Sequence, residues 1–258
     1  MRRRAFIMLL GGAVASLYSA DCSAESQPSR VYRLGVLAAA RLPPEIEALQ
    51  DGLRKFGYIE AQNLKTEYRF SEGGVATLDE LAVELVRLEP DIIVTLGTPP
   101  VIAAKRATTT IPIVMAPAGD PLASGIVASL AHPGGNITGL TLYASELTSK
   151  RLEVFKEAVP GITRIAVLGN ATNPADQLLW QEAEKAARPL ALVLRLFTVQ
   201  ETADLPAVFD AIARDGANGV VVLPDVMLDS VPHTILSWRQ IIVFRLCTIV
   251  GNTSRTVG

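Results

Sequence analysis

The residues of this sequence that could do chemistry follow directly on short apolar segments. They are Ala39, Gly97, Thr98, Pro99, Asp120, Asn170, Asn173 and Asp225. A glycine lets the backbone approach a ligand, a threonine hydroxyl and the N–H groups of a helix start favour a carboxylate, and an aspartate can pair with an ammonium group. Together these groups predict a binding site for a small polar solute, and an amino acid would suit it.

The same residues also fit a purely structural interpretation. Thr98 can be the N-cap of a helix that has Pro99 at its first position, and Asp120 and Asn173 can cap the helices that follow them. Capping and ligand contact use the same first turn of a helix, so the sequence leaves both roles open.

The common sequence signatures of catalysis are absent. The two histidines are His132, beside a predicted turn, and His233, and there is no G-x-S-x-G, P-loop, H-E-x-x-H or G-x-G-x-x-G motif. The two cysteines, Cys22 and Cys247, have neither a disulfide framework nor a metal-ligand spacing. We therefore expect a protein that is not an enzyme and that needs no cofactor and no metal ion.

The composition argues against nucleic acid as a partner. The net charge is -2 and the aromatic content is 5%, whereas binding to nucleic acid needs a basic excess for the phosphates and aromatic side chains for stacking. With 258 residues, 49% of them hydrophobic, the chain is an ordinary globular one that is long enough for one large or two smaller cores.

Residues 1–24 predict an export signal peptide. Three arginines, at positions 2 to 4, precede the apolar run FIMLLGGAVASLYSA, and small-residue cleavage sites, YSA and CSA, follow. Both a Sec signal and a twin-arginine signal fit this pattern. An uncleaved anchor is the alternative, although the run is shorter than the roughly 20 residues that span a bilayer. Asp21 stands where a lipoprotein signal has a small residue before its cysteine, which favours a soluble periplasmic protein.

From Arg33 onward, strand-like and helix-like segments alternate. RLGVLAA, LKTEYRFS, DIIVTLG and IPIVMAPAG are typical of strands, and PPEIEALQDGLRKFGY, TLDELAVELVRL, PPVIAAKRATT and LASGIVASLA are typical of helices. Thr77 and Glu80 have the spacing of a capping box. Such alternation predicts an α/β fold with parallel sheets that are covered by helices on both faces.

A second series of segments repeats the first. RLGVL at position 33 and RIAVL at position 164 are 131 residues apart, and IIVTL at 92 and VVVLP at 220 are 128 apart. The nearly constant offset predicts two similar doubly wound lobes, at residues 31–135 and 161–230, joined by a crossover or hinge at 136–160. Ligands of such folds bind outside the carboxyl ends of the strands, which is where the candidate residues lie.

The most distinctive stretches of the sequence are TTTIPIVM, GDP and PGGNITG, and they are accompanied by LRKFGYIEAQNLKTEYRFSEG, KRLEVFKEAVPGITRIAVLGNATNP and GVVVLPD. These stretches resemble the ABC transporter substrate-binding family that is often described as the tryptophan/tyrosine-type uncharacterised periplasmic component. The resemblance runs from the signal to about Ser230. It implies a type I periplasmic-binding fold, in which two lobes close on a hinge over a small solute.

The resemblance also implies which residues line the ligand pocket. Carried over motif by motif, the pocket includes Thr98, Pro99, Asp120, Asn170, Asn173 and Asp225. Gly97 precedes the first of these, and Ala39 falls in the first loop, where AAAR lacks the polar residues that many relatives have there.

The implied function is that of the solute-binding component of an ABC importer for a small organic solute, and the family suggests an aromatic amino acid. The implied partners are an inner-membrane ABC permease and its cytoplasmic ATPase. The alternative is a ligand-sensing module for a signalling receptor, which an adjacent sensor kinase gene would indicate.

Residues 231–258 are predicted to be out of frame, so that lobe two is incomplete and solute binding is impaired. One set of codons for residues 237–248, read one base earlier, encodes QLAANHRLPAMY, which resembles the family's next segment. We expect a frameshift between about Asp229 and Ser237; a divergent but genuine C-terminus is the alternative. Sequencing of the coding DNA distinguishes them, because codons that are incompatible with the shifted reading exclude the frameshift.

Overall fold

Two parallel β-sheets, each with helices on both faces, make up the part of the chain that the computed structural model describes, residues 30–72, 77–142, 144–237 and 242–245. The elements from Tyr32 onward belong to one structural unit. The predicted α/β fold with two doubly wound lobes is confirmed. The predicted signal peptide and most of the predicted tail lie outside the described residues. No helix within the described ranges combines the length and the apolar character that a membrane span requires.

Lobe one is built on five parallel strands in the order β2-β1-β3-β4-β5. The strands are β1 (Tyr32–Ala38), β2 (Leu64–Phe70), β3 (Ile92–Leu96), β4 (Ile113–Ala118) and β5 (Ile137–Thr141). The helices between the first four strands are α1 (Pro43–Lys55), α2 (Leu78–Arg87) and α3 (Thr98–Ala107). Because the strands are parallel, their carboxyl ends lie along one edge of the sheet, and that edge carries Gly97 and Asp120.

The first sheet separates two hydrophobic cores. Leu37 and Ile93 pack with α2 and α3 on one face, whereas Val36 and Val94 pack with α1 on the other. Successive side chains of a strand point to opposite faces, so strands that are covered on both faces need nearly continuous apolar sequences. This requirement explains why RLGVLAA and DIIVTLG lack the alternation of a half-exposed strand.

Lobe two is built on four parallel strands in the order β7-β6-β8-β9. The strands are β6 (Arg164–Asn170), β7 (Val193–Val199), β8 (Gly219–Val222) and β9 (Ile242–Arg245). The helices are α4 (Ala144–Ala158), α5 (Pro174–Ala187), α6 (Leu205–Asp215), α7 (Val226–Asp229) and α8 (Pro232–Leu236). The first four strands of lobe one and the strands of lobe two correspond element by element.

The register of the central strands agrees between the lobes to within one residue, since the sequence offsets relate Leu34 to Ile165 and Ile92 to Val220. Leu34 of β1 pairs with Ile92 of β3, and Ile165 of β6 pairs with Gly219 of β8. The sequence offset therefore reflects two sheets with the same central arrangement.

The stretch 136–160, predicted as a crossover or hinge, divides between the lobes. β5 pairs with β4 and forms an edge of the first sheet, whereas Leu152 and Phe155 of α4 are buried in the core of the second sheet. β5 ends at Thr141 and α4 begins at Ala144. The chain thus passes from one lobe to the other within a few residues.

The prediction of a helix at LASGIVASLA is wrong. Turns occupy residues 121–125, Gly125 has a φ of +66°, and Ile126 is buried in the core of lobe one. Lys105 of α3 explains the difference, since its Nζ donates to the carbonyl oxygens of Gly125 at 2.7 Å and of Ile126 at 3.0 Å. A distant ammonium group therefore satisfies carbonyls that a helix would bond internally.

The predicted capping box at Thr77 and Glu80 is also wrong. Thr77 precedes α2 with φ -97° and ψ -5°, and its side chain makes no cap hydrogen bond. Its backbone is already close to helical, whereas a residue that caps a helix typically has extended backbone angles.

Two short elements lie within the predicted out-of-frame tail. α8 buries Ile235 in a core of lobe two, and β9 pairs with β8 in parallel. The second sheet thus has four described strands, against five in the first.

Candidate functional site

The polar residues at the carboxyl edge of the second sheet form one buried hydrogen-bonded network. Asn170 ends β6, Asn173 caps α5 and Asp225 caps α7, and their exposed fractions are 2%, 6% and 6%. The structure thus brings together all three candidate residues of lobe two. It adds Asp176, which is equally buried and which did not stand out in the sequence. We call these four residues the carboxylate network.

Asn173 lies at the centre of the carboxylate network. Its Nδ2 donates to Oδ1 of Asp176 at 3.0 Å and to Oδ2 of Asp225 at 2.9 Å, and its Oδ1 accepts from the N–H of Ala175 at 3.1 Å. The prediction that Asn173 is a helix cap is confirmed. One amide side chain uses both of its N–H protons and its oxygen to tie two carboxylates to the start of α5.

Asn170 and the two carboxylates complete the network. The main-chain N–H of Asn170 donates to Oδ2 of Asp176 at 2.6 Å, and its Nδ2 donates to Oδ2 of Asp225 at 3.2 Å. Oδ1 of Asp225 accepts from the N–H groups of Met227 at 2.9 Å and Leu228 at 3.3 Å. The network therefore joins the end of β6 to the starts of α5 and α7, and its hydrogen bonds are made within the protein.

Burial and like charge make this network costly to ionise. Burial raises the pKa of Asp225, although the hydrogen bonds from Asn173 and Asn170 act in the opposite direction. Burial and the neighbouring charge of Asp225 raise the pKa of Asp176 well above its ordinary value. Two carboxylates that share a desolvated site resist carrying two negative charges.

The carboxyl edge of the first sheet is held together by Gly97 and Thr98. The N–H of Gly97 donates to the carbonyl oxygen of Pro117 at 3.0 Å, and Oγ1 of Thr98 accepts from the N–H of Gly119 at 2.9 Å. Gly97, with a φ of +91°, is the residue that caps α3, and Thr98 is its first helical residue. The alternative in which Thr98 is the N-cap is therefore wrong, because its side chain bonds across to the end of β4.

Pro99 and Pro100 limit what the start of α3 can offer an anion. A helix start attracts carboxylates through free N–H groups, and proline has none. Of the first three residues of α3, only Thr98 has an N–H group. The start of α3 is therefore a weaker anion site than the sequence analysis assumed.

Asp120 lies at the same edge, after β4, and is half-buried. Its Oδ1 accepts from the N–H groups of Leu122 at 3.1 Å and Ala123 at 3.0 Å. The side chain thus caps a turn rather than the helix that was predicted there. Its Oδ2 accepts no hydrogen bond from the described residues, so one carboxylate oxygen of Asp120 is available to a ligand.

Ala39 lies beside Gly97, because Ala38 of β1 pairs with Leu96 of β3. Its side chain is buried, and its carbonyl oxygen accepts from Oγ of Ser71 at 2.9 Å. The first loop therefore contributes a methyl group at this edge.

The two lobes are in contact at Gly119 and at Gly97. A Cβ atom added to Gly119 would lie 2.6 Å from Cβ of Ala175, and one added to Gly97 would lie 2.9 Å from Cγ2 of Val226. Ala175 and Val226 belong to the first turns of α5 and α7. The candidate residues of lobe one thus lie opposite the helix starts that the carboxylate network holds.

A small cavity of about 40 Å³ adjoins the carboxylate network and is also lined by Gln177 and Thr198. This volume suits a water molecule or two, since ligand pockets typically measure about 300–1,000 Å³. In the described part of the chain, no group of three or more His, Cys, Asp or Glu side chains could hold a metal ion.

Two participants in this geometry were not recognised from the sequence, Asp176 and Gly119. Asp176 stands three residues after the cap Asn173, which is the position of the acidic partner in a capping box. That spacing could have identified it. Gly119 is the first residue of GDP, but its proximity to Ala175 depends on how the lobes are arranged.

The raised pKa of Asp176 predicts how stability depends on pH. The folded state binds the Asp176 proton more tightly than the unfolded state does, so this group lowers the free energy of unfolding as the pH rises from about 4 through the folded pKa. Asp176→Asn removes the titration. The free energy of unfolding of the variant, relative to the parent, should therefore increase as the pH rises through this window.

Urea denaturation of both proteins at several pH values measures this difference. The amide has one acceptor oxygen where the carboxylate has two, so one of the hydrogen bonds from Asn170 and Asn173 is lost. That loss shifts the whole curve but does not change its dependence on pH. The control is Asp51→Asn, because the side chain of Asp51 is 59% exposed. Parallel pH profiles for Asp176→Asn and the parent would contradict the prediction.

Solved structures with high similarity to this chain include a conserved domain protein from Vibrio cholerae, at 28% identity and a TM-score of 0.77, covering 85% of this chain and 75% of that one. An ABC domain in complex with L-Trp from Streptococcus pneumonia is 24% identical with a TM-score of 0.75, covering 84% of this chain and 75% of that one. At that identity the second similarity shows the fold.

Among characterised proteins, a tyrosine-binding protein from Clostridioides difficile is 35% identical to this chain over 127 residues. The aligned part is 49% of this chain and 35% of that relative. The match thus spans about a third of the relative's length.

A family model described as ABC transporter substrate binding protein matches residues 41–242. The match includes the candidate residues from Gly97 to Asp225, and it continues past Ser230, where the resemblance was expected to cease. It confirms the family that the stretches around GDP and PGGNITG predicted. This chain belongs to the ABC transporter substrate-binding protein family.

Proposed function

We propose that this chain is the periplasmic solute-binding component of an ABC importer and that its solute is an amino acid, with tyrosine as the first candidate. The observation that carries the ligand class is the 35% identity over 127 residues with a tyrosine-binding protein. Membership of the family supports the binding role. The export of the chain, the inner-membrane permease and the cytoplasmic ATPase are inferred from that membership and from the N-terminal sequence.

We assign Asp120 to the ammonium group of the solute. Oδ1 of Asp120 is held by two main-chain N–H groups, which orient the side chain, while Oδ2 is left for a ligand. A half-buried carboxylate is partly desolvated, and this strengthens a charge-assisted hydrogen bond. Oγ of Ser124, in the same turn, is buried and has no hydrogen-bond partner among the described residues, and it adds a second hydrogen-bonding group.

Thr98 is assigned to the solute carboxylate. Its Oγ1 accepts from the N–H of Gly119, so its hydroxyl proton is left to donate to an acceptor on the ligand. Gly97 and Pro99 determine the backbone conformation around this hydroxyl. Ala39 contributes its methyl group at the same edge of the first sheet.

The candidate residues of lobe two are assigned an indirect role. Asn170, Asn173 and Asp225 make their hydrogen bonds inside the carboxylate network. They would hold the starts of α5 and α7 opposite lobe one and would not contact the solute themselves. This assignment modifies the three direct contacts that the sequence analysis expected.

Asp120→Asn tests the ammonium assignment. Asparagine keeps an oxygen for the turn N–H groups, so the melting temperature should be unchanged, but it lacks the negative charge. A hydrogen bond to a charged group contributes roughly 1.5–3 kcal/mol, so the affinity for L-tyrosine should fall about 10- to 100-fold. Isothermal titration calorimetry measures the affinity and a thermal scan measures the stability.

Asp204→Asn is the matched control, because Asp204 is another half-buried carboxylate that accepts from main-chain N–H groups. It should leave the affinity for L-tyrosine as it is in the parent. Equal affinity of Asp120→Asn and the parent would exclude the proposed contact.

The transport role has its own test. Deletion of the gene should lower the saturable uptake of radiolabelled L-tyrosine by intact cells, and a plasmid copy, with the reading frame corrected where the coding DNA shows the frameshift, should restore it. Unchanged uptake in the deletion strain would contradict delivery of this solute to a permease.

A further inference from the structure

Gly119 of lobe one lies directly against Ala175 of lobe two. A Cβ atom at position 119 would lie 2.6 Å from Cβ of Ala175, and real Cβ atoms essentially never approach another atom within 3.0 Å. The φ of Gly119 lies outside the left-handed region, so its backbone does not require glycine. What requires glycine at 119, in this arrangement of the lobes, is the methyl group of the opposite lobe.

A second contact of the same kind lies at Gly97 and Val226. A Cβ atom at position 97 would lie 2.9 Å from Cγ2 of Val226. Gly97 also has a φ of +91°, so this position needs glycine for its backbone as well. A substitution at Gly119 or Ala175 therefore tests the contact between the lobes without also straining the backbone.

Hydrogen bonds fix both members of each contact within their own lobe. In lobe one, Thr98 binds the N–H of Gly119 and is the neighbour of Gly97 in the chain. In lobe two, Asn173 binds the N–H of Ala175 and is tied through Asp225 to the start of α7, where Val226 lies. Each lobe thus presents two contact residues whose positions are supported by hydrogen bonds within that lobe.

We propose that these two contacts limit how far the lobes close over the solute and thereby define the closed state. Ala175 and Val226 can pack against the carboxyl edge of the first sheet because Gly119 and Gly97 have no side chains. Gly119 and Ala175 are positioning residues, since they act on the solute through the width of the cleft. This inference rests on the proposed solute-binding function and adds the residues that set closure.

Gly119→Ala in the full chain is the first test. The added Cβ atom cannot be accommodated in the closed arrangement, so the lobes should stay further apart. Small-angle X-ray scattering should give a larger radius of gyration than for the parent in the presence of saturating L-tyrosine. Overpacking of this kind should lower the affinity for L-tyrosine about tenfold.

The double variant Gly119→Ala/Ala175→Gly separates the contact between lobes from effects inside lobe one. Removal of the Ala175 methyl makes room for the new one, so the radius of gyration and the affinity should return towards the parent values. A Cβ atom at 119 would also lie 3.1 Å from Oγ1 of Thr98. If the double variant were no better than Gly119→Ala, the cost would arise at Thr98 and the proposal would be overturned.

Ala175→Val reaches the same contact from lobe two and leaves lobe one unchanged. It should also increase the separation of the lobes and weaken the binding of L-tyrosine. If Gly119→Ala does not fold, this variant tests the proposed contact in its place. A closed, fully binding Ala175→Val protein would overturn the proposal while leaving the solute-binding function intact. If the parent itself does not bind L-tyrosine, the proposed ligand is wrong, and the radii of gyration without ligand still test the contact.

Discussion

A single amide nitrogen, Nδ2 of Asn173, serves two buried carboxylates, and the arrangement of lobe two depends on that shared donor. Without it, Asp176 would keep only the N–H of Asn170 as a donor among the described residues, and the direct link between the two carboxylates would be lost. A buried polar group that loses its hydrogen-bond partner typically costs about 1–3 kcal/mol. The ends of three elements are therefore locked in one relative position.

This constraint also links the second lobe to the first. The residues that the network orients, Ala175 and Val226, are those that meet the glycines of lobe one. Hydrogen bonding inside one lobe thereby determines the surface that it presents to the other. The family's function, in which two lobes enclose a solute, needs surfaces whose shape does not change as the lobes move.

Much of the fold could be predicted because its signals are local. Apolar strands such as RLGVL and IIVTL are readable one segment at a time, and their near-constant offset revealed two corresponding sheets. LASGIVASLA has the composition of a helix, yet Lys105 bonds the carbonyl oxygens of Gly125 and Ile126. No local pattern encodes a contact with a side chain 20 residues away.

The positions of the candidate residues were predictable from the strand ends, but their roles were not. Asn170 and Asn173 bond to Asp225 over 55 and 52 residues of chain, and only the folded sheet shows that these groups use up one another's hydrogen-bonding capacity. The proximity of Gly119 and Ala175 depends on the arrangement of the lobes. The absence of N–H groups at Pro99 and Pro100, in contrast, could have been read from the sequence.

Those prolines would affect which anions the proposed solute site accepts. Phosphate and sulfate are usually stabilised by several N–H donors at a helix start, whereas α3 offers one in its first three residues. α5 also begins with a proline, Pro174, and the next N–H, that of Ala175, is already bound by Asn173. Multiply charged anions would lose their water here without adequate replacement, and the carboxylate of Asp120 would repel them. At the proposed solute site, the helix starts would therefore disfavour polyanions relative to a zwitterion.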